Sequence, residues 1–390
     1  MSERIHPELL LELKKYGAEN IEACFNCGNC TAICPLTNDG HPYPRNMIRL
    51  AQVGLKDRLL ASTDPWMCYY CGDCSETCPK GAEPAETMMA LRRWLTAQYD
   101  RSGHGNRFYT SEKSVWFAAL RAALITLAFF VVLQLLGFGR VVTDRVALNT
   151  FAPVMLVWGF VLLHFAYLGI RVLSNAMRMF QLTAGPTLEG KKIPLSIYLG
   201  ELPKLVTHFV TQKRWRECDE KDHSRWFKHL LLVSGYVTML LLVVVLLWWF
   251  QTDNLYPFYH PQRWLGYLAT ALLIYASADA LIGRMRKAEQ LHRFSQPTDW
   301  LFPAFILVGA VTGILVHSFR YLGAVSAAWA WPTYILYVIH VMAMIAMLDT
   351  EVGVGKWAHL IYRPLTMYVE ALKEKVKTIE VPAEVPALAD

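Results

Sequence analysis

Eight of the nine cysteines fall into two runs of one form, Cys24-Phe-Asn-Cys27-Gly-Asn-Cys30-Thr-Ala-Ile-Cys34-Pro35 and Cys68-Tyr-Tyr-Cys71-Gly-Asp-Cys74-Ser-Glu-Thr-Cys78-Pro79. Both read C-x2-C-x2-C-x3-C-P, an iron–sulfur spacing. Three closely spaced thiolates take three irons of one cubane cluster, and the cysteine before proline ligates the other cluster. The expected ligand sets are Cys24, Cys27, Cys30 and Cys78 for one 4Fe-4S cluster, and Cys68, Cys71, Cys74 and Cys34 for the other. Zinc also takes four thiolates, but its sites pair two C-x2-C units rather than repeat this longer run. Cys218 stands alone in a charged segment and reads as a bystander thiol.

Five histidines form a second set. His164, His229, His317 and His340 lie in or at the ends of apolar stretches, and His359 follows the last one. Ionisable residues at membrane depth are costly and commonly functional. Imidazole is a standard axial ligand of haem iron, and a pair on facing helices clamps a haem b. Singly, each histidine is as well explained by a hydrogen bond to a neighbouring helix. Five beside two cluster motifs point to at least one haem, with two expected.

The elements that must position these groups differ along the chain. Of 390 residues, 54% are hydrophobic, 13% aromatic and 18% charged, and the apolar surplus lies after residue 113. Charge in ordinary soluble domains is about 25%. Residues 1–113 carry charges throughout, and helical apolar spacing predicts helices over 46–60 and 84–99. Six apolar stretches follow, at about 115–138, 151–173, 227–250, 264–283, 300–319 and 329–348. Each can cross a hydrocarbon core of about 30 Å as a helix. Trp248, Trp249, Trp264, Trp300, Trp329 and Trp331 sit at their ends as interface anchors.

Lys and Arg number nine in the loop 174–226, three in 285–299 and five in 350–390, against two, one and one in 138–150, 251–263 and 319–328. The positive-inside rule puts the first set in the cytoplasm. The net charge of +6 is accounted for by these loops and gives no reason to expect nucleic acid. The first residues are too charged for a secretory signal, so the expectation is a multi-pass inner-membrane protein with both termini in the cytoplasm. The fold class expected is mainly α: a ferredoxin domain over 1–113, a haem b bundle over 114–362 and a tail over 363–390.

With that orientation, His229 and His359 both lie near the inner surface and make the best haem pair. His340 precedes His359 by 19 residues, about 28 Å along one continuous helix, and would serve a second haem nearer the outer face. Its partner is open: His164 first, His317 second, Met239 third. On a single ideal helix the two histidines are about 100° apart; distortion at Gly353 and Gly355 would be needed to re-aim His359. His317, with Arg320 beyond it, is also a candidate proton carrier for a quinol. Asp279, near Arg284 and Arg286, reads as a local ion pair.

Residues 15–100, with a helix between the cysteine runs, resemble the α-helical ferredoxin domain found in the C subunit of heterodisulfide reductases. The segment YVIHVMAMIAMLDTEVGVGKWAHLIYRPL resembles the last membrane helix of the nitrate reductase gamma-subunit family of b-type cytochromes. That resemblance implies haem ligation by His340, His359 and His229. The fused architecture resembles the C subunit of the quinone-interacting membrane-bound oxidoreductase complexes of sulfate reducers. It implies menaquinone as the redox pool, flavin-containing partners similar to the A subunit of heterodisulfide reductase, and adenylylsulfate reductase as the downstream acceptor.

No G-x-G-x-x-G nucleotide loop, serine elbow, HExxH or Cys-Cys-Gly motif occurs. The chain therefore reads as one member of an oxidoreductase complex with no complete substrate site of its own, exchanging electrons between menaquinone and cytoplasmic partners. Two alternatives stand beside this. One is a quinol-linked member of a heterodisulfide reductase or sulfite-reduction complex. The other is a membrane anchor with a redox-sensing ferredoxin domain.

Overall fold

A computed structural model describes residues 3–38, 40–188, 191, 193–212 and 223–380; Cys218 and the last ten residues lie outside them. The described residues are mainly helical, with no strand beyond an isolated bridge between Asn38 and His41. The helices needed below are α1 (Asn29–Ile33), α2 (Arg45–Val53), α3 (Asp73–Glu76), α4 (Pro84–Tyr99), α5 (Glu112–Leu135) and α6 (Val154–Leu188). They continue with α7 (Ser224–Val244), α8 (Pro261–Arg286), α9 (Pro297–Val325), α10 (Ala330–Glu351) and α11 (Ala358–Glu380).

Two compact units share the chain. The first takes Met1–Thr110, Val172–Lys221 and Trp357–Asp390; the second takes Ser111–Arg171 and Asp222–Lys356. The first unit packs around Trp66, Trp94, Tyr99 and Tyr362, each almost wholly buried. The rings of Trp66 and Tyr99 lie 4.9 and 5.2 Å from that of Tyr362 on α11. Thr63 donates to the Glu370 carboxylate at 2.7 Å. Residues 363–380, expected as a tail, are therefore a helix built into the first unit.

The helix expected over 46–60 is two helices, Arg45–Val53 and Lys56–Ala61. Gly54 ends the first at φ +81°, a left-handed conformation that glycine adopts without strain. A Cβ there would come within 2.6 Å of the His6 carbonyl oxygen. Apolar periodicity runs through this break because both helices bury their faces in the same core.

The second unit contains the six helices long and apolar enough to cross a membrane, one of them only in part: α6 passes into the first unit after Arg171. Their outward faces carry large apolar side chains, Leu135 being 79% exposed, as suits lipid as solvent. Ends are set locally. Ser111 caps α5 by accepting the Ser114 N–H, and Gln296 with Asp299 forms a capping box on α9. Phe130, Phe151, Tyr334 and Tyr337 pack between α5 and α10. Asp349 on α10 pairs with Arg121 on α5 at 2.7 Å. Asp279 pairs with Lys228 on α7 at 2.9 Å rather than with Arg284 or Arg286.

Candidate functional site

The two cysteine runs form nearly superimposable loops. Asn26 and Tyr70, each before the second cysteine of its run, have φ +61°. Gly28 and Gly72, each after that cysteine, have φ +96°. Alternating left-handed residues curl each loop so that its three thiols face inward, and α1 and α3 begin directly after the glycines. Asn tolerates this region; a tyrosine there is strained by about 1–3 kcal/mol, held only by surrounding structure.

Helices α1 and α3 pack together, and each carries its fourth cysteine across to the other loop. Cys24, Cys27, Cys30 and Cys78 line one cavity. Cys34, Cys68, Cys71 and Cys74 line another. Among the described residues, no three Cys, His, Asp or Glu side chains converge as a single bound ion requires. Four thiols round a space rather than round a point suit the body of a cluster.

Two further observations fit that donor set. Burial pushes the Cys30, Cys71 and Cys74 thiols up from their ordinary range, so these positions disfavour bare thiolates and need a positive centre to hold them. Tyr43 lines the second cavity and is buried; its hydroxyl has no partner in good hydrogen-bond geometry among the described residues and faces the Cys68 thiol. A cluster sulfur would accept that donor.

The walls of the two cavities differ. Gln52 on α2 holds the first loop, donating to the carbonyls of Cys24 at 2.8 Å and Ile21 at 3.2 Å. At the matching carbonyl of Cys68, Arg92 and Arg363 both donate, Arg363 at 2.6 Å. Arg363 also stacks 4.3 Å from the Tyr69 ring. Sequence reasoning passed over both arginines, since neither lies near a cysteine in the chain.

In the second unit, one cavity of about 280 Å³ lies among the membrane-length helices. His340, His317 and Met239 all line it; His164 and His229 do not. Thr312 Oγ1 lies 2.9 Å from His340 Nδ1 and 2.6 Å from the Val308 carbonyl. With its proton on that carbonyl the hydroxyl would accept from Nδ1–H and leave Nε2 with the lone pair, the state in which histidine ligates a metal. His317 Nε2 meets the Tyr267 hydroxyl at 2.7 Å. His164 on α6 has a buried Nε2 without a partner among the described residues.

His229 lies on α7 of the second unit and His359 on α11 of the first. The continuous helix expected from His340 to His359 is broken. α10 ends at Glu351, and Gly353 turns the chain at φ +84° before α11 begins. A Cβ at Gly355 would collide with Glu351. The ideal-helix spacing of the two histidines therefore does not apply.

Residues 20–82 match the family described as a 4Fe-4S dicluster domain. The chain is 40% identical over 88 residues to a protein of Archaeoglobus profundus described as like the C subunit of heterodisulfide reductase, covering 22% of this chain and 47% of that protein. It is 37% identical over 89 residues to the C subunit of the H(2):CoB-CoM heterodisulfide,ferredoxin reductase of Methanothermobacter marburgensis, covering 23% and 48%. The chain thus spans about half the length of these curated relatives, and the likeness lies in the cluster domain. No solved structure matches. The N-terminal region is a 4Fe-4S dicluster domain similar to that in the C subunit of heterodisulfide reductases, in a chain with six membrane-length helices.

Proposed function

We propose that this chain exchanges electrons between a membrane menaquinone pool and cytoplasmic partner subunits. The observation that carries this reading is the joining, in one chain, of eight thiols round two cavities to a membrane bundle whose cavity is lined by His340 and His317. Cys24, Cys27, Cys30 and Cys78 hold one cluster; Cys34, Cys68, Cys71 and Cys74 hold the other. On the resemblance to b-type cytochromes, His229, His359 and His340 ligate haem iron. When bound, haem b and the clusters supply one-electron redox chemistry.

The chain's own residues set the conditions for that relay. Thr312 orients the His340 ring through its contact with Nδ1, and Gln52, Arg92 and Arg363 hold the cluster loops. Oxidation of a quinol releases two electrons and two protons, and His317, paired with Tyr267, is the residue we assign to take a proton. Flavin-containing proteins similar to the A subunit of heterodisulfide reductase are the proposed partners, with adenylylsulfate reductase downstream. The names of the matched relatives favour a second reading, a quinol-linked member of a heterodisulfide-reducing complex. A partner protein with a Cys-Cys-Gly motif would select it.

The test is a visible spectrum of the purified protein, as isolated and after a menaquinol analogue, with a pyridine haemochrome assay. About two haems b per chain, reduced by the quinol, are expected. Intact clusters without haem would remove the membrane half of the proposal.

A further inference from the structure

Two arginines at one end of the 280 Å³ cavity make no ion pair among the described residues. Arg263, in the first turn of α8, is 3% exposed, and Arg320, on α9, is 6% exposed. Both line the cavity. The Nε and Nη2 of Arg263 and the Nε of Arg320 are buried without a hydrogen-bond partner among the described residues. Arg263 lies over the Phe250 and Tyr256 rings, at 5.6 and 5.9 Å, with Tyr321 and Tyr267 nearby. Arg320 donates to the carbonyls of Thr252 at 2.6 Å and Asn254 at 3.1 Å.

No Asp or Glu lines the cavity. The carboxylate that bears on Arg320, Asp253, is exposed and already accepts from Asn149 N–H and the Thr150 hydroxyl. Buried ions persist when they are paired, and a guanidinium pair is shaped for carboxylates. The rest of the wall is largely apolar and aromatic, with His340 along it.

We propose that Arg263 and Arg320 form a carboxylate-binding end of this cavity, which receives the two acidic arms of a haem whose iron is held by His340. The inference rests on the haem reading above and adds its orientation, with the acidic edge toward the start of α8. Charge decides between the two ligands that offer oxygen here. A quinone is neutral and leaves both cations uncompensated; two carboxylates cancel them.

The experiment uses the full chain in detergent, with haem content by pyridine haemochrome and a redox titration followed in the visible spectrum. His340→Ala should remove one haem. Arg263→Met and Arg320→Met should each either lower occupancy of that haem or shift its midpoint negative, by a tenfold change in the reduction equilibrium, 59 mV for one electron. Lost positive charge disfavours the reduced iron, so the sign is fixed. Arg263→Lys and Arg320→Lys, keeping the charge, should recover most of the shift, and unchanged cluster spectra serve as the control for folding. Unchanged haem content and midpoint in both Met variants overturn the proposal. So does loss of quinol-dependent reduction with the haem unaltered, which would hand the arginines to the quinone. A wild-type chain without haem fails the functional reading itself, and is recognised before any variant is made.

Discussion

The first and second cysteine runs share their φ angles at the residues that shape them, +61° before and +96° after the second cysteine, yet their surroundings are unlike. Around the first, Cys27 and Phe25 are exposed, Arg45 and Lys80 line the cavity, and the Cys24 carbonyl is met by a neutral amide, Gln52. Around the second, Tyr43 and Asp73 line the cavity, and the Cys68 carbonyl is met from behind the loop by two guanidinium groups. Net charge, hydrogen bonds and solvent exposure set cluster potentials. One ligand loop has thus been placed twice in different electrostatics. The two clusters are expected to titrate apart, and the exposed first cluster is the one a partner can approach.

The strongest way to break this comparison is to test the crossing of the fourth cysteines. Cys34→Ser should remove the same EPR signal as Cys74→Ser, and Cys78→Ser the same signal as Cys30→Ser. Non-haem iron should fall in each case from about eight to about four per chain, one 4Fe-4S cluster lost. If Cys34→Ser instead removes the signal lost in Cys30→Ser, the cavities do not mark the ligand sets.

The sameness of the loops is tested next. Gly28→Ala and Gly72→Ala place a Cβ at φ +96°, which costs about 1–2 kcal/mol. Both should lower the urea concentration at which cluster absorbance is lost, and by similar amounts. At Gly28 the new methyl also meets the Arg45 guanidinium at 3.3 Å, the movable end of a side chain. A large effect at one glycine and none at the other would show that the loops are not equivalent.

Arg363 sharpens the difference. Arg363→Gln keeps a donor at the Cys68 carbonyl and removes the charge, so the second run comes to resemble the first. The second cluster should titrate lower, by tens of mV against the 59 mV that marks a tenfold change, while the first stays in place. Equal shifts of both clusters would mean that the guanidinium acts through the unit at large.

How much of this was legible in the residue order depends on the range of each signal. The cysteine runs carry their own spacing, and the membrane helices carry their own length and apolarity. Both are local, and the structure has helices over all six stretches. The break at Gly353 was not legible, because apolar character continues up to it and only a dihedral records it. Nor was the place of α11 in the first unit: Tyr362 looks like the end of the membrane bundle, and Arg363 and Glu370 like an exposed tail, until Trp66, Cys68 and Thr63 are brought beside them. Arg263 and Arg320 read as ordinary loop-end cations. What marks them is that they are buried on the cavity wall without an ion-pair partner among the described residues, which only folding decides.

The smallest effect comes from Tyr43. Its buried hydroxyl lacks a partner in good hydrogen-bond geometry among the described residues, and the first run has no tyrosine among the residues lining its cavity. A hydroxyl donating to a cluster sulfur stabilises the reduced, more negative state. Tyr43→Phe keeps the ring that packs in the core and deletes only that donor, so folding should be close to unchanged, and the second cluster alone should move to lower potential. The shift should be smaller than for Arg363→Gln, since a neutral hydrogen bond contributes roughly half as much as a charged one. A fall in thermal stability with the potential unmoved would mean that the hydroxyl serves the protein instead of the cluster, and the asymmetry between the runs would then rest on the arginines alone.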